Sequence, residues 1–220
     1  MKDYTINFPL YNNIDEVYIG IEKGLKLEEG DMYKDILPVV YCGSSITQGG
    51  WASRPGNSYT NIISRDLDVD FINLGFSGNA KGEPEMAEYI SNLKMSCFVY
   101  DYDHNAPNVQ HLRDTHERMY KEIRAKNLEL PVIFVSRPNM YLSAEEKERK
   151  QVILTTYNNA KQRGENVCFV DGEEMFKLFG GDSSTVDGTH PNDLGFMCMA
   201  KCIGKEVQRT LNISVGVATM

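Results

Sequence analysis

The sequence predicts an α/β fold, a flavodoxin-like three-layer α/β/α sandwich with about five parallel strands and a short N-terminal β segment. Two observations carry that expectation. From Pro38 onward, short β-rich runs alternate with longer helical stretches. Every candidate strand is then followed by residues rich in glycine, serine, asparagine or aspartate, which is where open α/β sheets gather their functional loops.

Residues 1–37 stand outside this rhythm. The stretches 4–8 and 17–21 read as short strands, and 27–31 as a polar turn. They form either an edge ribbon on the main domain or the remnant of a longer β domain. The main domain is expected to span 38–220. Its strands are expected at 39–42, 70–74, 96–101, 132–136 and 166–170, each an apolar or β-branched run of strand length. Helices are expected at 58–67, 84–93, 109–126, 144–163 and 192–209. Ser143 and Glu146 make a capping box for the fourth of these, since each side chain can satisfy the other's free backbone N–H. The last helix is apolar on most faces, through Leu194, Phe196, Met197, Met199, Ile203 and Val207, and is expected to pack deeply.

Composition narrows the classes of partner. At 220 residues the chain can bury one good core. A net charge of −8 argues against nucleic acid and anionic membranes as partners. The mixed run Glu145-Glu146-Lys147-Glu148-Arg149-Lys150 reads as a solvated helix face. Cys42, Cys97, Cys168, Cys198 and Cys202 lack metal-type spacing and read as reduced, buried thiols. No apolar run of ~18 residues exists to span a membrane. Met1-Lys2-Asp3-Tyr4 lacks the apolar core of a signal peptide, so a cytoplasmic location is expected.

Four segments carry chemistry. Gly43-Ser44-Ser45-Ile46-Thr47 follows the first strand and places a serine in a glycine-flanked turn. It lacks the glycine two residues after the serine that a nucleophile elbow requires, and the Gly-Lys-Ser/Thr ending of a phosphate loop. Taken alone, a serine in such a turn is more often only a turn or cap residue. Asn73-Leu74-Gly75-Phe76-Ser77-Gly78-Asn79 follows the second strand, and its glycines allow backbone N–H groups to approach a ligand closely. In Tyr100-Asp101-Tyr102-Asp103-His104-Asn105-Ala106, Asn105 can either donate its amide to a developing oxyanion or cap the helix beyond Pro107. Asp187-Gly188-Thr189-His190-Pro191 precedes the last helix. A carboxylate three residues before a histidine can reach Nδ1 and leave Nε2 facing outward. A serine hydroxyl is not deprotonated near neutral pH, so it needs such a base, held in one tautomer, to become a nucleophile.

In order and spacing, GSSITQG, NLGFSGN, YDHNA and DGTHPN resemble the four blocks of the SGNH (GDSL-type) hydrolases, over roughly residues 38–209. GSSITQGG followed by Ala52-Ser53-Arg54-Pro55-Gly56 is similar to a bacterial branch whose members carry an N-terminal β-sandwich, and 1–37 resembles only its last strands. The resemblance implies a serine-dependent ester hydrolase without a cofactor or metal. Ser45 would be the nucleophile, His190 the base and then acid, and Asp187 the orienting carboxylate. The oxyanion hole would comprise the N–H groups of Ser45 and Gly78 and the amide of Asn105. Two departures stand out: Ser44 replaces the usual aspartate before the nucleophile, and Asp103-His104-Asn105-Ala106 replaces Gly-x-Asn-Asp.

The family likeness points to removal of a short acyl group, best an acetyl group, from a small molecule or carbohydrate. Trp51, Tyr59, Phe76 and Tyr102 are candidates to stack on a sugar ring, and Arg54 and Arg137 to read a polar leaving group. Two rivals remain open. One is a metal-dependent hydrolase or phosphatase using Asp101, Asp103, His104, Asp187 and His190. The other is a non-catalytic carbohydrate-binding protein on the same fold. An apolar N-terminal face leaves self-association to a homo-oligomer open as well.

Overall fold

A computed structural model of the chain describes residues 3–177 and 180–214. Five strands, β1 (Val39–Gly43), β2 (Phe71–Gly75), β3 (Cys97–Asp101), β4 (Val132–Val135) and β5 (Val167–Val170), form one parallel sheet in the order β2-β1-β3-β4-β5. The helices are α1 (Ser45–Gln48), α2 (Tyr59–Leu67), α3 (Pro84–Ser91), α4 (Val109–Lys126), α5 (Ala144–Gln162), α6 (Gly172–Met175) and α7 (Asp193–Thr210). All five expected strands and five expected helices are present, with ends shifted by a few residues. The short α1 and α6 are additions, because four residues span barely one turn and leave no periodic trace in the sequence.

Strand side chains alternate between two apolar layers, as the two-residue period requires. Val39, Tyr41, Cys97, Val99, Ile133 and Val135 face α2 and α7, where Ile62, Ile63, Phe196, Met199, Ile203 and Val207 complete one core. Val40, Cys42, Phe98, Tyr100, Val132 and Phe134 face α3, α4 and α5, with Ile90, Leu112, Tyr120, Ile123, Val152 and Ile153. A sheet buried on both faces explains why its central strands read as continuous apolar runs. The Ser143–Glu146 capping box forms as the sequence predicts, with both reciprocal bonds made. No described helix is long and apolar enough to cross a membrane.

The stretches 4–8 and 17–21 join no β-ladder, contrary to the strand expectation. Alternation supplied an apolar face for each, but neither has a partner strand to accept its backbone bonds. The segment instead touches the main body at a few points. Gln48 Nε2 donates to Leu10 O (3.1 Å), Tyr11 OH donates to Ser45 O (3.3 Å), and Lys34 N donates to Asp68 O (3.1 Å).

The carboxyl ends of β1, β2 and β3 lie level, with Gly43 opposite both Gly75 and Asp101. Helix α1 sits directly on that edge. A Cβ at Gly75 would lie 2.1 Å from the backbone nitrogen of Gln48, and one at Gly43 would lie 2.2 Å from Thr47 Oγ1. Both positions therefore need glycine for close approach rather than for an unusual φ. Gly75→Ala should push α1 off the sheet edge: circular dichroism should report a retained fold, while activity falls about 10²-fold because a displacement near 1 Å suffices for that loss.

Candidate active site

Ser44 follows β1 in extended geometry, and its Oγ accepts from Ile46 N (3.1 Å), capping α1. Ser45 is the first residue of α1. Its carbonyl accepts from Gly49 N (3.0 Å) and Gly50 N (2.8 Å) as well as from Tyr11 OH, which closes the following turn tightly. Among the described residues the Ser45 N–H has no intramolecular acceptor.

His190 reaches Ser45 from the loop before α7. Ser45 Oγ lies 3.1 Å from His190 Nε2, and His190 Nδ1 lies 2.8 Å from Asp187 Oδ2. The other oxygen of Asp187 accepts from the backbone N–H groups of Thr189 (3.0 Å) and His190 (2.8 Å). The His190 N–H, followed by the imidazole bond, pulls the Asp187 carboxyl down to about 2, so it stays ionised. Local pairing makes this loop. Thr185 and Pro191 form an antiparallel bridge, Val186 N donates to His190 O (2.9 Å), and Gly188 takes a φ of +84° between them. Asn192 then caps α7 by accepting from Gly195 N (3.1 Å).

The loops after β2 and β3 flank this series. Gly78 has a φ of +71°, and its N–H has no intramolecular acceptor among the described residues. Asn105 does not cap a helix: Asn108 caps α4 by accepting from His111 N (2.8 Å). Instead Asn105 Oδ1 accepts from Ala80 N (3.3 Å), and its amide NH2 has no bonded acceptor among the described residues. Gly78 and Asn105 line one wall of a cleft of about 640 Å³, shared with His104, Arg137 and Glu146.

The remaining candidates are dispersed. Asp103 is buried and held by Arg137 Nε (3.3 Å) and Arg149 NH1 (3.5 Å), and Arg137 also grips Glu146 (3.0 Å). Arg137 thus borders the cleft with its guanidinium already engaged by two carboxylates. Arg54 is exposed near Asp193. His104 is kept neutral by burial, well below the ordinary histidine range. Asp101 turns under α1, where its Oδ2 accepts from Thr47 Oγ1 (2.9 Å) and Tyr59 OH (3.4 Å). The five donors of the metal rival therefore point into three separate settings. Among the described residues no three histidine, cysteine or acidic groups converge to hold an ion.

Two anchors escaped the sequence reading. Asp101 is one: it is a buried carboxylate bonded to α1 through Thr47, on β3 opposite Gly43, the residue before Ser44. Asp193 is the other, accepting from Ser53 N (2.9 Å) and Asn57 Nδ2 (2.9 Å) and so tying the loop after α1 to the start of α7. Neither carries a local pattern, because both act on residues more than forty positions away. Of the four aromatics named as sugar platforms, Tyr59 and Tyr102 are core residues and Phe76 is half-buried, whereas Trp51 is exposed.

Ser45, His190 and Asp187 thus stand in hydrogen-bonded series at the carboxyl edge of a flavodoxin-like 2-1-3-4-5 parallel sheet. The chain belongs to the GDSL-like lipase/acylhydrolase family, whose pattern matches residues 36–208. It is similar to the structure of a GDSL-like lipase from Bacteroides ovatus, with 30% identity and a TM-score of 0.74 over 83% of this chain. It covers 56% of that protein, so it spans only about half the length of this relative. A family two carbohydrate esterase from Clostridium thermocellum, solved with cellohexaose, shares the fold at 15% identity and a TM-score of 0.68, over 86% of this chain and 68% of that one. A two-domain esterase active on acetylated mannans shares it at 20% identity and 0.61, over 83% and 51%. No curated protein sequence is a match.

Burial pushes the Asp101 carboxyl up to about 7, against the smaller opposing effect of the Thr47 bond. An unfolded aspartate ionises near 3.9. Between those values the folded protein holds a proton that the unfolded chain releases, so stability falls as pH rises through the window. Asp101→Asn keeps an acceptor for Thr47 and removes the titration. Its melting temperature relative to the parent should therefore be higher at pH 8 than at pH 4, measured by thermal denaturation at both.

Proposed function

We propose that the protein is a serine-dependent ester hydrolase that removes a short acyl group, best an acetyl group, from a carbohydrate. The observation that carries this reading is the continuous series Ser45 Oγ–His190 Nε2–Nδ1–Asp187, at 3.1 and 2.8 Å. Ser45 Oγ attacks the ester carbonyl while Nε2 takes its proton, and Asp187 holds the imidazole in that tautomer and stabilises the imidazolium. The oxyanion is received by the N–H groups of Ser45 and Gly78 and by the Asn105 amide. His190 then returns the proton to the leaving alcohol. Water, deprotonated by the same nitrogen, attacks the acyl-serine, and the acid departs as Ser45 is re-protonated.

Support for the acyl and alcohol parts is comparative. Structural neighbours include an esterase active on acetylated mannans and a carbohydrate esterase solved with cellohexaose. No metal is required by this chemistry, and the buried placement of Asp101 and Asp103 removes two donors from the metal alternative.

Intact-mass labelling with a fluorophosphonate should give one adduct on the parent protein and none on Ser45→Ala. Absence of the adduct on a folded parent sinks the nucleophile assignment. On an acetylated sugar, Ser45→Ala and His190→Ala should each lose on the order of 10⁶ in kcat, and Asp187→Asn on the order of 10⁴. Asn105→Ala should lose about 10²–10³ in kcat and remain measurable. Full activity in that variant removes the amide from the oxyanion site.

A further inference from the structure

Trp51 occupies a conformation and a place that folding alone does not account for. Its φ is +71°, a left-handed setting that bulky side chains rarely adopt and that costs on the order of 1–3 kcal/mol. Its side chain gains little from that setting, since the residue is 62% exposed. The turn around it is nevertheless firmly fixed. Gly50 N donates to Ser45 O (2.8 Å), Ala52 N donates to Gly49 O (3.2 Å), and Ser53 is bound to Asp193 at the start of α7. The same Asp193 lies three residues beyond His190, so one carboxylate holds the Trp51 turn and the His190 loop in a common frame. The result is an indole whose ring centre stands 6.4 Å from that of His190, tilted by 54°.

We propose that Trp51 is a binding platform for the sugar ring of the leaving alcohol. This rests on the ester-hydrolase reading above and adds the side of the site from which the sugar is held. In that reaction the proton of His190 Nε2 goes to the leaving oxygen, so the alcohol portion must lie against His190 rather than toward Gly78 and Asn105. Trp51 is an exposed aromatic on that side, and its ring is the one that stands against the His190 imidazole. A pyranose presents a face of C–H groups that packs flat on an indole, while its hydroxyls stay in water. That suits a surface with one free face. A lipid or flat aromatic alcohol would instead gain from being enclosed on both sides, and a 62% exposed indole does not enclose.

The chain contains a single tryptophan, so its intrinsic fluorescence reports this one position. An acetylated cello-oligosaccharide titrated into Ser45→Ala protein, excited beyond tyrosine absorption, should produce a saturable change in emission. No change at concentrations that the parent enzyme hydrolyses would overturn the proposal. This titration reads binding without turnover, so it stands even if fluorophosphonate labelling fails and the hydrolase reading falls. Kinetics on the parent background give the second readout. Trp51→Gly relieves the positive φ and should be at least as thermostable as the parent, which guards against misfolding. Its KM for the acetylated oligosaccharide should rise about tenfold, with kcat changed much less, and Trp51→Phe should recover most of the loss. An unchanged KM for the sugar ester, or a rise confined to phenyl acetate, would overturn it.

Discussion

The position of Ser45 depends on one contact, the seating of a single helical turn on the carboxyl edge of the sheet. A helix of four residues has no stability of its own, because nucleation costs more than one turn returns. Its geometry is imposed from outside. Gly75 lets the backbone of Gln48 press onto the end of β2, and Gly43 leaves room for Thr47. Asn73 then donates to the Thr47 carbonyl (2.7 Å), and Asp101 accepts from the Thr47 hydroxyl. The nucleophile candidate is thus placed by strand register, and the register is set by two extensive cores on either face of the sheet.

Three aspartates near this edge show how environment divides one side chain into different roles. Asp187 is well exposed, accepts backbone and imidazole N–H bonds, and is pulled down to about 2. Asp101 makes no salt bridge among the described residues and is pushed up to about 7 chiefly by burial. Asp103 is as buried as Asp101 but is gripped by Arg137 and Arg149, which hold the β3 loop against α5. The last residue of β3 is thus buried without a salt bridge, while the carboxylate two residues on is held by two guanidinium groups.

The architecture was legible because its signals are local. Alternating strands and helices, the Ser143–Glu146 box and the apolar α7 each occupy a short window, and each is where the sequence placed it. The Asp187–His190 spacing was legible for the same reason. What the sequence did not yield acts across distance: Asp101 under α1, Asp193 between two loops, and the engagement of Arg137 by Asp103 and Glu146. The aromatic candidates show the limit from another side. Tyr59, Tyr102 and Trp51 are equivalent as residue types near motifs, and only packing separates core from surface. For 4–8 and 17–21 the alternation was present, but a strand also needs a neighbour, which no pattern within the strand supplies.

The Asp187–His190 pair is closed within its own loop. The bonds between these two residues span three positions, and the bridge from Thr185 to Pro191 pins the ends, whereas the bond to Ser45 crosses 145 positions. The loop lies on the surface beside the sheet rather than within either core. Its opening would withdraw imidazole and carboxylate together, leaving the five strands and Ser45 in place. Under the proposed mechanism, reactivity and foldedness are therefore separable properties, since the serine hydroxyl would fall silent while every strand remained paired.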